Sequence, residues 1–264
     1  MPRVPVVGAG HSRGTLTAAS AIDHYQTPLT MLPRSKWTIF SIARPAPPAI
    51  VMRCNHIGGM MLELDHLAVL GETLAEAVSH AESGLGQPLS PGGAHPDFGT
   101  HNFLIGLEDE LYLEAIAVDP SAPAPGRARW FGLDHFSGPA RLDKWICRVP
   151  DIDAALARFP MAGEAVTVTR GSLSWKISVP RDGMLPYDGL FPALIEWESP
   201  VPPGVSLDGA GVRLEQLTVA HPQADEMQAL LGPVLTSPQV GFAVEAKPAL
   251  RAAFATPSGR RVLQ

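Results

Sequence analysis

The chain has 264 residues, 45% of them hydrophobic and 17% charged, with a formal net charge of −6, which excludes wholesale disorder and leaves enough apolar material for one or two packed cores. No stretch reaches the ~18 consecutive apolar residues of a membrane span, and an acidic chain without a concentrated basic face offers little to phosphate, so neither a membrane nor a nucleic acid is expected as partner. Cys54 and Cys147 form no metal-type spacing and suit a reducing, cytoplasmic setting.

Residues 1–58 carry six basic side chains against the single acid Asp23, together with seven prolines and no sustained apolar period. They read as a leader outside the fold: a targeting peptide, a disordered tail, or sequence upstream of a true start at Met60 or Met61, the last being favoured. Beyond them the sequence repeats. Leu64-Asp65-His66-Leu67-Ala68-Val69 precedes a helical stretch from Glu72 to Gly84, Leu142-Asp143-Lys144-Trp145-Ile146-Cys147 precedes one over 151–159, and Leu214-Glu215-Gln216-Leu217-Thr218-Val219 precedes one over 224–231. Alternating runs follow each helix: 100–107 and 111–118, then 165–170, 173–179 and 191–197, then 241–246 and 250–256. Each copy reads as strand, helix and two or three strands. The fold class is therefore α+β, with repeated βαβββ modules forming an open cup-like mixed sheet and a third shorter copy at the C-terminus. The expected boundaries are a domain over 59–206, holding modules at about 62–119 and 141–200, and a partial third module over 207–264 packed on it. Side chains alternate along a strand, so His66 and Glu114 are expected on the concave face, with Asp65, Leu67 and Val69 under the helix. Gly92-Gly93 reads as a turn needing positive φ and close backbone approach, bordering the pocket.

The run from Leu89 through Gly92-Gly93-Ala94-His95-Pro96-Asp97-Phe98-Gly99-Thr100-His101-Asn102 to Tyr112-Leu113-Glu114-Ala115-Ile116, with Leu64-Asp65-His66-Leu67 before it and Leu194-Ile195-Glu196-Trp197 after it, closely resembles the glyoxalase-like family of the vicinal oxygen chelate superfamily. The resemblance implies paired βαβββ modules holding a divalent metal (Zn, Fe, Mn, Ni or Mg) through side chains on the first and last strand of each. Carried over by position, it makes His66, Glu114 and Glu196 candidate metal ligands and places Lys144, which cannot ligate while charged, where a further ligand would sit. Lys144 would then neutralise Glu114 or Glu196, or bind an anionic substrate. His95, His101 and Glu114 are candidate acid–base groups, the histidines because an imidazole titrates near neutral pH. Asn102, Lys144 and Arg170 are candidate substrate contacts. A structural histidine at 66 and a structural ion pair at 114 are the plain alternatives.

These expectations describe a metal-dependent lyase, isomerase or dioxygenase acting on a small organic molecule, with a metal-free binding or sequestering protein as the alternative. Whether the cup closes within one chain or across a homodimer stays open. A chain beginning at Met60 is expected to fold, with a melting temperature by scanning calorimetry within about 5 °C of the full chain, the shift that roughly 1–2 kcal/mol produces at this size.

Overall fold

In the computed structural model the described residues are 60–264, so the reading of 1–58 and the place of Cys54 fall outside them. The first module runs β1 (Glu63–Leu70), α1 (Leu74–Leu85), β2 (Ser90–His95), β3 (Thr100–Gly106) and β4 (Tyr112–Val118). Helix α1 starts at a capping box, in which the Thr73 hydroxyl accepts from the Glu76 N–H while the Glu76 carboxylate accepts from the Thr73 N–H. It stops at Gly86, whose φ of 68° is left-handed. Ala77, Ala81 and Leu85, spaced by four, form its buried face. The second module repeats the order as β5 (Arg141–Arg148), α2 (Ile152–Arg158), β6 (Glu164–Arg170), β7 (Leu173–Val179) and β8 (Ala193–Trp197). After a short helix, α3 (Pro203–Ser206), come β9 (Arg213–His221), α4 (Ala224–Leu231), β10 (Val240–Val244), β11 (Ala249–Thr256) and β12 (Gly259–Leu263).

The first two modules form one eight-stranded sheet in the order β2-β3-β4-β1-β5-β8-β7-β6. In each, the first strand lies parallel to the last, β1 with β4 and β5 with β8, and antiparallel pairing of β1 with β5 joins the two. The sheet curls until its edge strands meet, because Arg170 at the end of β6 hydrogen-bonds His95 at the end of β2. This is the expected α+β cup of repeated modules.

The C-terminal unit keeps the order of elements and adds β12, which alternation did not flag. Its four-stranded sheet runs β10-β9-β11-β12, so that β9 pairs in parallel with β10 and not with the last strand of its own unit. Similarity to the other copies thus reaches the element order and stops short of the pairing. The unit covers the start of β1: Leu62 exchanges backbone hydrogen bonds with Val234 and Thr236, and the Leu64 N–H donates to Ser237 Oγ at 2.7 Å. The Gly92-Gly93 segment also departs from expectation, lying in the edge strand β2 across a register shift, with positive φ at neither glycine. Among the described residues no helix is long and apolar enough to cross a membrane.

Leu113 lies at the centre of this packing, fully buried on β4 with Ile105 of β3 and Leu67 of β1 as its register partners. Leu113→Ala removes its transfer free energy and leaves a cavity, so urea unfolding is expected to show a loss of about 2–5 kcal/mol.

Candidate functional site

Alternation along β1 breaks at one place. Leu64 lies opposite Cys147 and His66 opposite the adjacent Ile146, which leaves Asp65 as the extra residue of a β-bulge. The bulge re-aims a side chain that strict alternation would put under α1. The Asp65 carboxylate instead accepts from His66 Nδ1 at 2.7 Å and from Trp197 Nε1 at 3.0 Å. On its other side, His66 Nε2 faces Glu114 Oε1 at 3.5 Å, and the ring stacks on Tyr112 with centroids 4.2 Å apart. Glu114 Oε2 accepts from Asn102 Nδ2 at 2.9 Å. Asn102 Oδ1 accepts from Arg170 Nη1 at 3.3 Å and from the Gly93 N–H at 3.0 Å. Arg170 Nη1 also donates to His95 Nε2 at 3.0 Å, and His95 Nδ1 lies 3.2 Å from Thr100 Oγ1. One polar chain thus crosses the cup from Trp197 on β8 to Thr100 on β3.

The two glycines of β2 make the crossing sterically feasible. A Cβ at Gly92 would lie 2.2 Å from Asn102 Oδ1, and one at Gly93 would press on Arg170 Cδ at 3.2 Å. Their requirement is close approach, as expected, without the positive φ. The polar chain borders a cavity of about 30 Å³. Its walls are aromatic and aliphatic, with Trp175, Ile177, Ile195 and Trp197 from the second module, joined by Trp130, Phe131 and Pro203. Phe131 holds a φ of 60° within the 3-10 turn Trp130–Gly132, a backbone strained for a non-glycine residue.

Burial disfavours charge on His66, but the hydrogen bonds and charges of Asp65 and Glu114 outweigh it and push its pKa up to about 9. The same partnership with His66, aided by Asn102, holds the Glu114 carboxyl below its ordinary range against the opposing effect of burial. Burial dominates at His95 and, with help from the Arg170 charge, pushes it down to about 4 despite Glu114. At neutral pH His66 is therefore a cation between two carboxylates. His95 is neutral, accepting from Arg170 at Nε2 and donating to Thr100 from Nδ1.

His66, Glu114, Asn102, Arg170 and His95 are thus brought together around one cavity. Three expected site residues are elsewhere. His101 alternates to the opposite face of β3 from Asn102, and its buried Nε2 has no partner among the described residues. Lys144 does not line the cavity; its ammonium pairs with the Asp143 carboxylate, donates to the Asp143 carbonyl at 3.3 Å and lies against Gly189. It therefore neutralises neither Glu114 nor Glu196. Glu196 points outward, where its carboxylate accepts from the Ile152 N–H at the start of α2 at 2.8 Å and faces Lys176 at 4.0 Å. Registers explain the error: Ala68 pairs with Glu114, and its repeat counterpart Ile146 pairs with Ala193. Ala193, and not Glu196, is the second-module equivalent of Glu114. In the third copy Gln216 is exposed.

The implied metal site does not fit these residues. Of the four first- and last-strand positions, His66 and Glu114 carry donors, while Lys144 and Ala193 do not. Among the described residues no three His, Cys, Asp or Glu side chains converge to hold an ion. Asp65, Tyr112 and Trp130 are the site residues the sequence reading missed. For Asp65 a signal existed: an acid facing an apolar helix would be buried at high cost unless paired.

His66 makes stability depend on pH. Its proton is held in the folded chain up to about 9 and released by the unfolded chain near 6.5, so the stabilisation is complete below 6.5 and is lost as pH rises through 9. The melting temperature is expected to fall across this window by the equivalent of at most about 3 kcal/mol, and calorimetry of His66→Gln should show a flatter profile there.

Residues 64–235 match a family model described as a glyoxalase-like domain. A crystal structure of a hypothetical protein from Staphylococcus aureus shares 14% identity and superposes with a TM-score of 0.52 over 72% of this chain and 88% of that one. Methylmalonyl-CoA epimerase from Mycobacterium tuberculosis matches at 21% identity over 53% of this chain and 88% of its own, with a TM-score of 0.34. The Mn(II)-bound glyoxalase from Novosphingobium aromaticivorans matches at 8% identity over 77% and 81%, with a TM-score of 0.42. At such scores neither enzyme bears on the chemistry of this site. No curated protein matches the sequence. The family match spans well over half of the chain, and the protein belongs to the glyoxalase-like domain family.

Proposed function

We propose that the cavity is the site of a metal-independent enzyme that moves a proton on a small carbonyl compound, with Glu114 as base and His66 as the group that stabilises the developing oxyanion. The observation that carries this reading is the Asp65–His66–Glu114 arrangement, with His66 Nδ1 held at 2.7 Å by Asp65 and Nε2 turned to Glu114 at 3.5 Å beside the cavity. Glu114 is ionised at neutral pH and ready to accept a proton. In the proposed step it takes a proton from the carbon next to the carbonyl; the C–H electron pair becomes the C=C bond of an enolate, and the carbonyl pair moves to oxygen. That oxygen receives a hydrogen bond from His66 Nε2, and return of the proton from Glu114 to carbon completes the exchange. A metal-dependent lyase, isomerase or dioxygenase would require donors where Lys144 and Ala193 stand.

The largely aromatic and aliphatic lining favours a second reading, a protein that sequesters a small molecule in the cavity. Proton NMR in D2O separates the two. Incubation with hydroxyacetone or pyruvate is expected to replace hydrogen next to the carbonyl with deuterium, at a rate untouched by EDTA and lowered about 10²–10⁴-fold in Glu114→Gln. Binding without exchange would establish sequestration. Exchange that needs added Zn, Fe, Mn, Ni or Mg, with a metal-induced rise in melting temperature that His66→Ala abolishes, would overturn the metal-independent reading.

A further inference from the structure

Arg170 reaches from β6 across Gly93 into the first module, yet its hydrogen-bond partners are both neutral, His95 Nε2 and Asn102 Oδ1. Both bonds use Nη1. Among the described residues Nε and Nη2 have no acceptor, and no carboxylate forms an ion pair with the guanidinium. That leaves free the two-pronged edge that fits a carboxylate with two parallel N–H···O bonds. A second donor stands unused on the same cavity: Trp130 is 3% exposed, and its buried indole N–H has no partner among the described residues. Buried donors of this kind are rare in folded proteins unless a water or a ligand satisfies them.

We infer that the Arg170 corner of the cavity, with the Trp130 N–H, is the subsite for the carboxylate of a compact, planar 2-oxo acid. This rests on the proposed proton-transfer reading and adds the class of substrate to it. Asn102 fixes the span, since its Oδ1 meets Arg170 and its Nδ2 meets Glu114. One amide's width therefore separates the anion-binding group from the base, which matches a carboxylate whose neighbouring carbons undergo the chemistry. A monoanion is favoured over a phosphate dianion because one uncompensated cation is available and Glu114 lies beside it. Planarity follows from the flat walls of Tyr112, Phe131, Trp175 and Trp197, and compactness from the cavity volume of about 30 Å³.

Calorimetric titration of the full chain with pyruvate, pyruvamide and inorganic phosphate tests the subsite. Pyruvate is expected to bind at least about tenfold tighter than its neutral amide, and Arg170→Gln to weaken pyruvate at least about 30-fold. Arg170→Lys keeps the charge without the fork and is expected to lose about fivefold or more, and Trp130→Phe, which removes only the N–H, a few-fold. These two variants carry the test should Arg170→Gln fail to fold. Glu114→Gln is expected to bind pyruvate at least as tightly as wild type, since a repelling charge is gone. Equal affinity for pyruvate and pyruvamide, tighter binding of phosphate, unchanged affinity in the Arg170 variants, or no binding by about 10 mM would overturn the subsite. Arg170-dependent binding without deuterium exchange would instead overturn the proton-transfer reading and leave the subsite standing.

Discussion

The antiparallel pairing of β1 with β5 sets the geometry of everything else in the cup. Each strand carries one irregularity, at Asp65 in β1 and at Asp143 in β5, each within the same Leu-Asp motif. Each extra residue is an acid that turns to the side chain following it, Asp65 to His66 and Asp143 to Lys144. A bulge inserts one residue without ending a ladder. The sheet therefore keeps its pairing while the acid escapes the apolar face that simple alternation would impose. The same backbone device yields two different sites, because the residue after the acid is an imidazole in one module and an ammonium in the other.

Only in the first module does a carboxylate complete the arrangement. The cavity holds two acids, Asp65 and Glu114, against two cations, His66 and Arg170, with His95 kept neutral by burial and by its neighbour Arg170. Asp65, His66 and Glu114 survive in a low-dielectric interior because each charge faces a counterpart, while the Arg170 guanidinium is held by the neutral acceptors His95 and Asn102. The balance also explains why the groups are spread over both modules. Arg170 and Trp197 come from the second, the remainder from the first, and the polar chain is continuous only when the sheet is curled.

Much of this was legible in the sequence. The Leu-Asp repeat, the helix spacings and the strand runs of 111–118 and 173–179 follow from periodicities that burial imposes directly. The cup-facing positions of His66 and Glu114 follow from the same alternation, and Arg170 stands among the expected substrate contacts. What failed depended on pairing, which a single strand does not record. Glu196 was placed by its nearness to a family motif, whereas the parallel register of β5 with β8 puts Ala193 at the equivalent position. Asp65 was misplaced because a bulge leaves no mark on composition. Strand β2, rich in proline and glycine, looks like a turn, and its pairing with β3 is a tertiary fact. The third copy shows the same limit, since similar elements in similar order assemble into a different sheet.

The contacts that cover the start of β1 join residues far apart in the chain, with Ser237 bonding Leu64 across 173 positions. Leu64 lies two residues from His66. During synthesis the strand that bears the histidine leaves the ribosome long before the segment that caps it, and domain-sized units fold as they emerge. The eight strands of the cup can close once residue 197 is available, but the end of β1 next to the site stays uncovered until translation has passed residue 237. The covering of β1 beside the site is thus completed only by the C-terminal unit, through residues that line none of the cavity's walls.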